Sequence, residues 1–115
     1  MRPEFKLWIE NEEGEQIIGE GLISLLKMIE KTGSINKASD ELNMSYRTAW
    51  GKIEKIEKRL GEKLIKRKTG GAGVGGSELT EKGRTFMNKY HIFSEGITQC
   101  VNEDFARIFA DYLQS

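Results

Sequence analysis

Apolar and polar residues alternate at the start of the chain. In "FKLWIEN", Phe5, Leu7 and Ile9 interleave with Lys6, Trp8 and Glu10, which is the period of a half-buried strand. "EEGE" reads as a turn and "QIIG" as a short returning strand, so a small hairpin is expected. From Leu22 the period lengthens. Leu22, Leu25, Leu26 and Ile29 fall at helical spacing, and Gly33 in "TGS" closes that helix. Ser34 can cap a second helix running to about Leu42, with Ile35, Ala38 and Leu42 inward. "NMS" is then a tight connection. Ser45 caps a third helix of about 15 residues, with Ala49, Ile53, Ile56 and Leu60 inward and Gly61 at its end. "KLIKRK" predicts a short strand with Leu64 or Ile65 turned inward, "TGGAGVGGS" a loop, and "ELT" a brief return. Thr80 caps a fourth helix whose stripe is Phe86, Tyr90, Phe93, Ile97, Val101, Phe105, Ile108 and Tyr112, with Gly96 or Asn102 as possible breaks.

Spacing alone does not separate ordinary core helices from a nucleic-acid reader. The outward positions of the third helix carry more information. At 100° per residue, with the apolar set inward, Arg47, Gly51, Glu54 and Lys58 point away, with Thr48 and Lys55 beside them. Tyr46 and Trp50 lie on one flank, Lys52 and Arg59 on the other. Arg, Thr and Lys at a helix start suit base edges and phosphates in a major groove. A mid-helix glycine costs about 1 kcal/mol relative to alanine, which makes sense at Gly51 if something approaches the backbone closely. Ser45 and its neighbours set helix N-terminal amides where a phosphate could bind. Core packing is the favoured reading for Trp50, and for Tyr46 packing and phosphate contact are evenly weighed.

Charge sharpens this picture. The chain is neutral overall, yet Ser45 to Thr69 holds nine basic residues against Glu54, Glu57 and Glu62, a surplus of six. Residues 1–33 hold four basic and seven acidic side chains. One concentrated basic block points to an anionic partner, although a solvated, salt-bridged helix gives the same count. With 115 residues and 37% hydrophobic content, one modest core is expected. The single cysteine, Cys100, and single histidine, His91, lie nine apart on one helix. They form neither a nucleophile–base pair nor a zinc site, so no enzyme, cofactor or metal is expected. The chain start lacks a signal-peptide pattern and no apolar stretch reaches membrane-spanning length, so a cytoplasmic protein without membrane contact is expected.

"GAGVGG" matches G-x-G-x-x-G, but the preceding strand is short and basic, and no crossover helix follows directly. A hairpin tip accounts for it better. Its glycines let backbone amides lie close to a sugar-phosphate backbone, with Lys66, Arg67 and Lys68 beside them. That is a wing next to a helix-turn-helix.

These segments carry a resemblance. "GSINKASDELNMSYRTAW" followed by "LIKRKTGGAGVGGSELTEKG" resembles the DNA-binding domain of the ModE family of molybdate-responsive transcription regulators, and "KLWIENEEGEQIIGEG" is similar to that family's N-terminal hairpin. The helices and "LT..G" also resemble LysR-type regulators. Those lack the glycine-rich wing, which favours the ModE-like assignment. The resemblance implies a dimeric winged helix-turn-helix regulator of transcription, with Ser45, Tyr46, Arg47 and Thr48 at the start of the recognition helix and Thr69 to Gly76 in the wing. It does not carry over molybdate sensing, since a sequence ending at Ser115 has no room for the family's oxyanion-binding domain.

The expectation is therefore a mainly α fold with small β-hairpins. Residues 1–79 form the N-terminal hairpin and winged helix-turn-helix, and residues 80–115 a long helical dimerisation segment, in one compact domain overall. The expected DNA contacts are Ser45, Tyr46, Arg47, Thr48, Gly51, Lys52 and Lys55 on the recognition helix (45–60). Arg67, Lys68, Thr69, Gly70, Gly71 and Gly73 are expected in and beside the wing (69–77). Partners are double-stranded DNA and a second copy, with any small effector unidentified. The competing reading is a winged-helix protein-interaction module without sequence-specific DNA binding.

Overall fold

A computed structural model describes residues 1–68 and 76–113. The elements run β1 (Trp8–Glu10), β2 (Gln16–Gly19), α1 (Glu20–Thr32), α2 (Ile35–Glu41), α3 (Tyr46–Leu60), β3 (Ile65–Lys68), β4 (Gly76–Leu79), α4 (Glu81–Ile108) and α5 (Ala110–Leu113). β1 pairs with β2 and β3 with β4, both antiparallel, as two separate two-stranded sheets.

Local chemistry sets most boundaries. The hydroxyls of Ser34, Ser45 and Thr80 accept the amides of Lys37, Thr48 and Gly83, capping α2, α3 and α4. Gly33 and Gly61 end α1 and α3 at φ of 78° and 77°, a left-handed conformation that glycine adopts without strain. The α2–α3 turn needs the same conformation at Asn43, φ 57°, and asparagine is among the few side chains that tolerate it. Its ends are tied by the Met44 amide on the Ser39 carbonyl at 2.9 Å.

The core lies where α1, α2, α3 and β2 meet. Ile18, Leu25, Leu26, Ile29, Ile35, Ala38, Ala49, Ile53 and Leu64 are fully buried there. Leu64 and Ile65 are both inward, although the sequence predicted one or the other. Three expectations shift. α1 starts at Glu20, two residues before the first periodic leucine. β1 is only three residues long, leaving Phe5 outside it and exposed. α4 passes through Gly96 and Asn102 without a break and turns only at Phe109. One exposed glycine costs about 1 kcal/mol, too little to end a 28-residue helix that has no internal cap.

The glycine of the "LT..G" signature has a packing reason. A Cβ on Gly83 would lie 2.3 Å from the Leu64 carbonyl oxygen, so only glycine lets the first turn of α4 rest on the base of β3. Beside it, the Thr80 amide donates to that same carbonyl at 2.9 Å, and the Thr80 hydroxyl donates to the Lys63 carbonyl.

Tyr90 departs from the expected dimerisation stripe. It is buried in its own chain's core, and its hydroxyl lies 2.9 Å from the Leu7 carbonyl and 3.1 Å from a Glu20 carboxylate oxygen. The N-terminal hairpin covers this part of α4. Burial, reinforced by Glu20, raises the Tyr90 phenol to about 12. Further along, Phe93, Ile108 and Tyr112 are exposed, while Phe86, Ile97, Val101 and Phe105 are half-buried. Ile92, Phe109 and Leu113, absent from the predicted stripe, are exposed too.

Candidate nucleic-acid interface

The interface is built on α3. Its inward residues Ala49, Ile53 and Ile56 are buried, which turns Arg47, Thr48, Gly51, Lys52, Glu54, Lys55 and Lys58 to solvent. No acidic residue stands in its first turn. Among the described residues, Arg47, Lys52, Lys55, Arg67 and Lys68 take part in none of the ion pairs, so their charges are uncompensated by direct contact.

The start of the helix is pre-organised. Ser45 Oγ accepts the Thr48 amide at 3.0 Å and pairs with Thr48 Oγ1 at 2.9 Å, which fixes both side chains. Trp50 is half-buried against the core, and its indole nitrogen donates to the Tyr46 hydroxyl at 2.6 Å. The phenol oxygen accepts this bond, which leaves its own proton available to donate. Trp50 follows the packing alternative. Tyr46 is half exposed and has a directed hydroxyl.

A Cβ at Gly51 would meet nothing within 4 Å. No internal contact requires glycine there, and the backbone lies open to an approaching surface.

The second hairpin stands beside this helix. Tyr46 at the start of α3 and Ser77 of β4 bound the same surface cleft of about 400 Å³, together with Ser34, Ile35 and Asn36. The register pairs Lys66 with Glu78, Arg67 with Ser77 and Lys68 with Gly76. Lys66 is partly neutralised by Glu78 at 3.7 Å, whereas Arg67 and Lys68 are exposed near the strand end. Thr69, Gly70, Gly71 and Gly73, expected at the tip, lie outside the described residues.

Two basic-block residues differ from their expected surroundings. Glu57, counted with the acids opposing the basic surface, is buried, and its carboxylate accepts the amides of Leu64 and Ile65 at 2.8 and 3.2 Å. It ties β3 to α3, and its other oxygen lies 3.6 Å from Lys63. Arg59 is half-buried and faces the first hairpin, with Nε 3.4 Å from Glu15 and Nη1 donating to the Gln16 carbonyl at 2.8 Å. Among the described residues, no group of three His, Cys, Asp or Glu side chains could hold a metal ion, and no helix is long and apolar enough to cross a membrane.

Known proteins match this architecture. The ModE transcriptional regulator of Yersinia pestis is 38% identical over 72 residues, covering 63% of this chain and 27% of the relative. The DNA-binding transcriptional dual regulator ModE of Escherichia coli K12 is 36% identical over 73 residues, covering 64% and 28%. This chain thus spans little more than a quarter of the length of these relatives. Among solved structures, the CbnR_DBD–DNA complex superposes with a TM-score of 0.59 at 20% identity, covering 81% of this chain and 99% of that one. Full-length CbnR complexed with its target DNA gives the same TM-score at 19% identity, covering 77% and 29%. The fold shared with these structures is the winged helix-turn-helix. The family model for the bacterial regulatory helix-turn-helix protein, lysR family, matches residues 22–84, from the core of α1 to the start of α4 and more than half of the chain, and the protein belongs to that family.

Proposed function

We propose that this protein binds double-stranded DNA sequence-specifically as a homodimer and regulates transcription. α3 enters the major groove, and the hairpin formed by β3 and β4 lies along the adjacent sugar-phosphate backbone. The observation that carries this reading is the exposed face of α3, where Arg47, Thr48, Gly51, Lys52 and Lys55 stand together without direct charge compensation. Ser45, Tyr46 and Thr48 supply hydroxyls at the helix start, where phosphates are met in helix-turn-helix complexes. Arg67 and Lys68 extend the positive surface onto the second hairpin. That CbnR is solved in complex with DNA, and that one ModE relative is described as DNA-binding, supports the same reading.

The dimer is proposed from α4 and α5. Phe93, Ile108, Phe109, Tyr112 and Leu113 are 41–70% exposed, apolar surface that a second copy would cover. On this reading, residues 80–115 are the dimerisation segment and residues 1–79 the DNA-reading unit.

The test is selection of bound fragments from genomic DNA, followed by gel shifts with the enriched site. A palindromic site and a steep loss of affinity with salt are expected, because phosphate contacts release counterions. Arg47→Ala should weaken specific binding far more than nonspecific binding. An unchanged shift for that variant removes α3 from the role. Absence of any salt-dependent binding would leave the winged scaffold as a protein-interaction module.

A further inference from the structure

The basic residues of α3 are not alike. Arg47 and Lys52, in its first half, face solvent without an acidic neighbour in the first turn. Lys55, Lys58 and Arg59, in its second half, share a surface cavity of about 490 Å³ with Asn11, Glu13 and Glu15 of the β1–β2 turn. That turn is built to hold its backbone and the Glu15 carboxylate in place. Asn11 Oδ1 accepts the amides of Glu13 and Glu15 at 3.1 and 2.8 Å, and Asn11 Nδ2 donates to Glu15 Oε1 at 3.0 Å. The other oxygen of Glu15 lies 3.4 Å from Arg59 Nε. In a chain with no net charge, the acidic turn is placed against one end of the basic helix.

We propose that Glu13 and Glu15 act as an electrostatic stop on the recognition helix. They occupy Arg59, oppose Lys58, and repel phosphates from the last turn of α3, which confines DNA contact to the stretch from Arg47 to Lys55 and raises the ratio of specific to nonspecific binding. The inference rests on the DNA-binding reading above. Duplex DNA carries one negative charge per about 1.7 Å of its axis, so two carboxylates on an anchored turn cannot lie against it without repulsion. Within about one Debye length, roughly 10 Å at moderate salt, that repulsion is felt by any backbone docking on the distal turns of α3. Sequence readout needs only the residues at the helix start. Additional contacts further along α3 would add affinity for every sequence alike.

The experiment is a fluorescence-anisotropy titration of the full chain with a labelled random-sequence duplex and with a selected site, from about 50 to 300 mM NaCl. For Glu13→Gln/Glu15→Gln, affinity for the random duplex should rise on the order of tenfold at the lowest salt. Its log–log salt slope should steepen by about 1 to 2, since each added phosphate contact contributes about 0.9. The selected site should gain less, so the specificity ratio falls. Glu13→Gln alone leaves the Glu15–Arg59 pair intact and should show a rise on the order of threefold, and it carries the test if the double variant does not fold. Wild-type binding with unchanged affinity and slope in the variants overturns the electrostatic stop and leaves the DNA-binding reading standing. No salt-dependent binding by any of the proteins overturns both.

Discussion

The buried carboxylate of Glu57 accepts the backbone amide of Leu64 at 2.8 Å, across the turn that joins α3 to β3. The same oxygen accepts the Ile65 amide at 3.2 Å, and Lys63 lies 3.6 Å from the other oxygen. One side chain thereby satisfies two buried donors and fixes the second hairpin to the helix beside it. Glu57→Ala would strand both amides. A loss on the order of 2–4 kcal/mol is expected, read from the midpoint of urea unfolding. Glu57→Gln keeps an oxygen for the amides and should lose about half as much. Equal stability of Glu57→Ala and wild type would remove the clamp from the account.

Gly51 gives a test with opposite signs in two measurements. Its Cβ position is empty, so Gly51→Ala should stabilise the free protein by about 1 kcal/mol through helix propensity. The same methyl would stand between α3 and the groove floor, so affinity for the selected site should drop several-fold. A variant that is more stable and binds equally well would show that no surface approaches α3 at that point.

Two glycines in α4 form a matched pair. Gly83→Ala drives a methyl into the Leu64 carbonyl and should destabilise the fold by about 2–3 kcal/mol, whereas Gly96→Ala enters open space and should stabilise it by up to about 1 kcal/mol. Thermal unfolding of the two variants measures the contrast. Equal effects would mean that the close approach of α4 to β3 is not maintained in solution.

Tyr90 predicts an alkaline limit. Its folded phenol sits at about 12, against the ordinary value of 10.0, chiefly because burial disfavours the anion. The neutral phenol is therefore a stabilising group below pH 10, and that contribution, on the order of 2–3 kcal/mol, disappears as pH rises through 12. Tyr90→Phe lacks the ionisation. It should be the less stable protein near neutrality, because two hydrogen-bond acceptors lose their donor, and the gap should close in the alkaline range. A gap independent of pH would place the titration elsewhere.

The elements were legible because their signals are local. Each of Ser34, Ser45 and Thr80 sits three residues before the amide it accepts, and Gly33 and Gly61 close helices at the positions where the apolar period stops. The outward set of α3 followed from the same periodicity. What was hidden depends on contacts across the chain. Glu57 reads as one more helix acid until the turn brings Leu64 back to it, and Arg59 meets the Gln16 carbonyl 43 residues away. Tyr90 shares a stripe with Phe93, and only the position of the first hairpin decides that one is covered and the other open. The assignment of a glycine-rich tip to DNA contact falls on residues 69–75, outside the described structure.

Leu64 is pinned at three points between two helices: its amide by α3, its carbonyl by the cap of α4, its backbone against Gly83 of α4. α4 then extends 28 residues, a rod of about 42 Å, from a base pinned to α3 through Leu64. Moving the far end of such a lever by about 4 Å turns the lever, and α3 pinned to its base, together by about 5°. Whatever grips the distal turns of α4 thereby sets the orientation of α3 and the second hairpin, with no change in how these elements pack on one another.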